Sequence, residues 1–146
     1  MAKNTKTLYV LDETWDDLKK IHGKPSSAAT NAVESWLGAR KTALGLLRGK
    51  FTRQELSGLV DSLNGTAWPE KWMQSRPEML AAQMEDADQY DHLSAKWEYN
   101  AAEMQEKIKS LHPLECFFLI EEIALFWERV TNQGEDLEPF LKIMSK

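Results

Sequence analysis

The sequence predicts a mainly α-helical fold, in which one short strand and two short helices precede a C-terminal helical bundle. Within residues 5–10, Leu8 and Val10 alternate with Thr7 and Tyr9, which is typical of a strand. Residues 12–21 and 25–37 carry apolar side chains at helical spacing, and no strand-like alternation follows residue 11. Because a lone strand is not stable by itself, it needs a partner strand from a second copy of the chain. The sequence therefore predicts a homodimer.

The alternation in the strand assigns its side chains to two faces. Leu8 and Val10 fall on the face that we expect to be buried. Thr5, Thr7 and Tyr9 fall on the opposite face. A paired ribbon above helices is a known way to bring side chains into the DNA major groove. The second face is therefore the candidate ligand-facing side.

The two helices that follow have start and stop signals of their own. Trp15, Leu18 and Ile21 mark one face of the first helix, and Gly23 is expected to end it. Pro25 suits the first position of the second helix. The apolar stripe of this second helix consists of Ala29, Ala32, Val33, Trp36 and Leu37.

Further helices are predicted in the rest of the chain. Gly38 is expected to end or kink the second helix, and residues 40–48 form a separate amphipathic piece. Residues 52–55 and 75–78 match the capping box that begins a helix. Residues 114–130 form the most apolar segment, which we expect to be a central helix. No internal repeat is evident.

Composition indicates a soluble protein of two parts. Hydrophobic residues make up 42% of the 146 residues, which is enough for a core. The single cysteine, Cys116, excludes an internal disulfide framework, and no secretory signal or membrane span is predicted, so we expect a cytoplasmic location. We divide the chain into a dimerisation and DNA-binding module, residues 1–50, and an acidic helical domain, residues 51–146.

Charge is distributed unevenly between these two parts. Residues 1–50 hold nine Lys or Arg and five acids, a formal charge of +4, whereas residues 51–146 have a formal charge of −9. A basic front half can contact phosphates while the acidic half stays away from them. An ordinary fluctuation in a mixed surface is the alternative interpretation.

The spacing in the first third of the chain resembles the ribbon-helix-helix family of DNA-binding proteins, which includes repressors and antitoxins. In that family an apolar strand residue is followed by core positions five, eight and eleven residues later, here Val10, Trp15, Leu18 and Ile21. The second helix of the family carries paired apolar positions, matched here by Ala28-Ala29, Ala32-Val33 and Trp36-Leu37. The resemblance covers about a quarter of the chain. This chain departs from it in having no basic row on the strand.

The resemblance implies a role for each matched position. The strand side chains that would contact bases are Thr5, Thr7 and Tyr9. The residues that would contact phosphates are Lys3, Lys6, Lys24, Ser26 and Ser27. The dimer core would consist of Leu8, Val10, Trp15, Leu18, Val33 and Trp36. The alternative is that the strand residues are β-formers on a solvated ribbon and that the two serines are plain helix caps.

No catalytic or metal site is predicted. Asp88 and His92 are four residues apart on a predicted helix, but two ligands do not make a metal site. Cys116 is expected to be a small core residue, and no phosphate loop or nucleophile motif is present. We therefore expect no enzyme activity and no cofactor.

The functional prediction is a dimeric, repressor-like DNA-binding transcriptional regulator. The alternative is a protein-interaction or inhibitor module of the antitoxin type, whose acidic helical domain binds a partner protein. The isoelectric point of about 5.3 favours the alternative, since independent DNA-binding domains are often basic.

Overall fold

The computed structural model describes residues 11–64, 71–133 and 136–145. Within these ranges the chain forms eight α-helices and one short 3-10 helix at Lys71–Ser75. The α-helices are α1 (Asp12–His22), α2 (Pro25–Leu47), α3 (Arg53–Ser62), α4 (Pro77–Asp91), α5 (Leu93–Trp97), α6 (Ala101–Lys109), α7 (Pro113–Gln133) and α8 (Glu138–Met144).

The described chain is all-helical, so the predicted ribbon-helix-helix-like fold class, a strand followed by helices, is wrong. The mainly helical character agrees with the prediction. None of the described residues forms a strand, so the described chain offers no strand that another could pair with. The predicted strand residues, 5–10, lie outside the described residues.

Helix α2 is longer than the sequence predicts, because it does not stop at Gly38. It continues to Leu47 and includes the predicted separate piece that begins at residue 40. A glycine inside a helix costs about 1 kcal/mol relative to alanine. The apolar stripe that includes Trp36 continues in helical register to Ala43 and Leu47, and burial of these later residues outweighs that cost.

The chain divides into two compact units. The first consists of Met1–Gly38, and the second of Ala39–Lys146. The division therefore lies inside α2 and before the predicted domain boundary at residue 50. Ala43, Leu44 and Leu47 are buried, which places the end of α2 with the second unit.

The hydrophobic core lies in the second unit. Helix α7 contributes buried residues on several sides, including Phe118, Ile120 and Phe126, and it packs against α4, α8 and the 3-10 helix. Helix α4 also packs on α6, and α3 packs on α5. No described helix has the length and the apolar character needed to cross a membrane.

Candidate interaction surface

The corner between α1 and α2 is defined by local sequence signals. Asp12 and Glu13 lie in the first turn of α1, where the helix dipole favours acids. Gly23 ends the helix in the left-handed conformation, with φ of 70°, and its N–H donates a hydrogen bond of 2.9 Å to the carbonyl oxygen of Lys19. Pro25 then begins α2. The two helices therefore meet at a short, specified turn.

Several large apolar side chains of this first unit are exposed in the single chain. Five large apolar residues of α1, its preceding residue and α2 are between 39% and 83% exposed, and we call them the N-terminal apolar surface: Leu11, Ile21, Val33, Trp36 and Leu37. Single exposed apolar residues are ordinary, but five of them within one small unit are typical of an interaction site.

The described part of the first unit also has no buried side chain. Among the described side chains of residues 11–38, none is buried, and Trp15, Leu18, Ala28 and Ala29 are only half-buried. Units of about 40 residues or fewer need disulfides, metals or oligomerisation for stability. The only cysteine of the chain is Cys116, outside this unit. The described side chains of the first unit therefore form no core of their own.

The predicted dimer-core residues can be compared with this result. Trp15 and Leu18 are half-buried, and Val33 and Trp36 are exposed in the single chain. Leu8 and Val10 lie outside the described residues. Val33 and Trp36 belong to the N-terminal apolar surface, and Trp15 and Leu18 lie on the same pair of helices.

The sequence pattern does not indicate Leu11 as part of this surface. It is 68% exposed and stands directly before α1 with extended backbone. Period-two alternation assigns it to the face opposite Val10, so strand reasoning could not identify it. The apolar spacing of Leu11, Trp15 and Leu18 along one helical face is the signal that could have done so.

The predicted phosphate-contacting residues are only partly described. Lys24, Ser26 and Ser27 are exposed at the start of α2, where free backbone N–H groups favour anions. The hydroxyl of Thr30 donates to the carbonyl oxygen of Ser26 at 3.0 Å. The remaining predicted phosphate and base contacts, namely Lys3, Lys6, Thr5, Thr7 and Tyr9, lie outside the described residues.

Part of the positive charge predicted for residues 1–50 belongs to the second unit, which begins at residue 39. Arg40 binds the buried Glu122, with Nε 2.7 Å from Oε1, and Lys50 binds the buried Glu115. Both cations therefore belong to the second unit and are already paired. Residues 1–38 contain five bases and five acids, so the formal charge of the first unit is zero.

Charge within the first unit is nevertheless separated. Four acids stand near the start of α1, namely Asp12, Glu13, Asp16 and Asp17, whereas Lys19, Lys20 and Lys24 flank the corner between the two helices. All of these side chains are exposed. We call the three lysines and the start of α2 the basic corner.

Several titratable groups of the second unit have structural roles. Lys107 donates to the buried Glu55 at 2.6 Å. Asp88, part of the considered metal pair, accepts a hydrogen bond of 2.8 Å from the N–H of Ser94. Burial raises the pKa of the Cys116 thiol to about 12, so the thiol stays protonated at neutral pH.

Acidic groups line an open cleft of about 550 Å³ on the second unit. Asp61, Asp86 and Asp91 contribute carboxylates, and Tyr90 beside them is strongly exposed. Asp61 accepts hydrogen bonds from Lys96 and from the indole of Trp97. Among the described residues, those of the cleft included, no three His, Cys, Asp or Glu side chains are grouped to hold a metal ion.

Searches of protein-family models, of curated proteins and of solved structures found no match to this chain. The resemblance to the ribbon-helix-helix family stays a prediction. The N-terminal apolar surface is the feature of the described chain that points most directly to a function, because exposed groups of apolar residues are typical of interaction sites.

Proposed function

We propose that this protein is a homodimeric DNA-binding regulator, in which two copies associate through the N-terminal apolar surface. The observation that supports it is the absence of any buried side chain among the described residues 11–38, although this unit carries exposed Val33, Trp36 and Leu37. A second copy supplies an identical apolar surface, and closed two-fold dimers are the commonest assemblies of identical chains.

The basic corner supports DNA as the ligand. Lys19, Lys20 and Lys24 are exposed beside the start of α2, where Ser26 and Ser27 add hydroxyl groups. Phosphates bind at helix starts because free N–H groups and the helix dipole both favour negative charge. A dimer presents two such corners, which suits the two backbones of a duplex.

Association can be tested with charges placed in the apolar surface. We expect Val33→Glu combined with Leu37→Glu to weaken self-association by at least about tenfold, because each copy would bury two unpaired carboxylates. Leu46→Glu is the matched control, since Leu46 is a leucine of the same helix with 57% exposure but lies in the second unit. Sedimentation velocity over a concentration series measures the change. A control that dissociates as strongly as the double variant would contradict the proposed surface.

DNA binding can be measured by fluorescence anisotropy with a random-sequence duplex at several salt concentrations. We expect binding at low salt with affinity falling steeply as salt rises. Lys24→Ala is expected to reduce the slope of log affinity against log salt by about one for each Lys24 in the complex. Lys109→Ala, at an exposed lysine of α6, is the control that should leave the slope unchanged. Absence of binding at low salt would contradict the DNA-binding function.

The acidic cleft favours a second candidate function, binding of a basic partner protein by the second unit. Asp86 and Asp91 are exposed beside Tyr90, and the second unit has a formal charge of −5. A polylysine peptide that binds the full chain, and loses affinity when Asp86 and Asp91 are replaced by Asn, would support this candidate.

A further inference from the structure

We propose that α1 of one copy lies antiparallel against α1 of a second copy, so that the acidic start of each helix faces the basic end of the other. This inference rests on the homodimer proposed above and adds the pairing of its helices. It identifies the partner from the charge pattern of α1 itself.

The charges of α1 are segregated along the helix. Four acids occupy its first six positions, namely Asp12, Glu13, Asp16 and Asp17, and its last four positions contain Lys19 and Lys20. All six side chains are exposed. Within the described chain, Lys20 and Asp17 form an ion pair at 4.0 Å, which is long and solvated. The two ends of α1 therefore present opposite charges to solvent.

An apolar middle separates these charged ends. Trp15 and Leu18 are half-buried on one face of α1, and the exposed Leu11 precedes them on that face at helical spacing. Asp12 and Lys19 flank Trp15 at three residues before and four residues after, so they border the same face. Along this face, Asp12, Trp15 and Lys19 therefore follow one another as an acid, an aromatic residue and a base.

Antiparallel pairing brings complementary groups together in a single register. With the two-fold axis between residues 15 and 16, Asp12 stands opposite Lys19 of the second copy, and the symmetry repeats the pair. Helices pack about 8–10 Å apart, which a lysine side chain can span towards a carboxylate. Parallel pairing would instead set acids against acids and lysines against lysines, which is unfavourable.

The same pattern favours a second copy over another helix. A partner helix of uniform charge would gain attraction at one end of α1 and suffer repulsion at the other. A helix with opposite charges at its two ends satisfies both ends of α1 at once, and a second copy of this chain carries such a helix. Leu11, the exposed apolar residue on this face of α1, would be buried by the same association.

Charge reversal in two full-length variants tests the pairing. The first variant carries Lys19→Glu and Lys20→Glu, and the second carries Asp12→Lys and Asp16→Lys. We expect each variant alone to self-associate about tenfold or more weakly than the native chain, because like charges then face each other at both ends. An equimolar mixture is expected to form a heterodimer with affinity within about threefold of the native homodimer. Sedimentation velocity with one variant fluorescently labelled measures each constant.

Matched controls separate the pairing from net charge and from folding. Lys109→Glu with Lys142→Glu changes the net charge by the same amount as the first variant, at exposed lysines of the second unit, and should leave association unchanged. Far-ultraviolet circular dichroism of the mixture checks that the helices are intact. If the native chain dimerises but the mixture recovers no affinity, the antiparallel pairing is wrong while the homodimer stands. If the native chain is monomeric at 100 micromolar, on the order of weak-dimer conditions, the proposed homodimer itself is wrong.

Discussion

Helix α2 carries one apolar stripe along its length, and the two halves of that stripe lie in different surroundings. In the first half, Val33, Trp36 and Leu37 are exposed, whereas in the second half Ala43 and Leu47 are almost completely buried. The same helix therefore contributes buried core residues to the second unit and exposed apolar residues to the first. An apolar stripe therefore predicts that its residues pack against some surface, but it does not identify that surface.

The largest expected effect is the loss of stability when a buried leucine of the second unit is replaced by alanine. Leu59 has no exposed surface, so Leu59→Ala should lower the free energy of unfolding by about 3 kcal/mol, through lost burial and a residual cavity. This loss should be the same at every protein concentration. Urea unfolding followed by circular dichroism measures it.

Leu37→Ala is the matched substitution in the N-terminal apolar surface. Leu37 is 54% exposed in the single chain, so its removal should cost less than about 0.5 kcal/mol in dilute solution. The cost should rise with protein concentration, because the proposed dimer would bury this side chain and association stabilises the folded chain by mass action. A cost that is independent of concentration would show that Leu37 has no part in association.

Local signals in the sequence predict several helix starts correctly, and one failure has a clear cause. Thr52 and Glu55 form both hydrogen bonds of the predicted capping box, at 3.1 and 2.8 Å. The box predicted at residues 75–78 does not begin α4, because the N-cap of this helix is Arg76 rather than Ser75. Helix α4 begins at Pro77 with Arg76 as its N-cap and no capping side chain, because the fixed φ of proline favours the first helical position.

The candidate site could be predicted only in part. Sequence spacing identifies Trp15, Val33 and Trp36 as apolar positions of two helices. It cannot distinguish Trp36 from Ala43 or Leu47, which share one stripe, because their exposure depends on which distant helices cover them. The pairing of Arg40 with Glu122 joins residues 82 positions apart, so no local pattern could remove Arg40 from the predicted basic surface.

Removing an ion pair with a buried carboxylate should cost more stability than removing an exposed ion pair. Arg40→Ala leaves Glu122 without its cation, and because Glu122 is only 3% exposed, the free energy of unfolding should fall by about 2 kcal/mol. Arg53→Ala removes a comparable contact with Glu138, in which both side chains are more than half exposed, and should cost less than about 1 kcal/mol. Equal costs for the two variants would contradict the structural role assigned to the Arg40 pair.

Two glycines are expected to give effects of opposite sign. A Cβ at Gly58 would lie 2.5 Å from Cε1 of Tyr99, whose half-buried ring packs against the core, so Gly58→Ala should destabilise the chain by about 1–2 kcal/mol. A Cβ at Gly38 meets nothing within 4 Å, and Gly38 lies inside α2. Gly38→Ala should therefore stabilise the chain by about 0.5–1 kcal/mol, because alanine loses less backbone entropy in a helix. Thermal unfolding of the two variants measures both signs. A destabilising Gly38→Ala would mean that α2 needs to bend at the boundary between the two units, and that its continuous stripe is not maintained in solution.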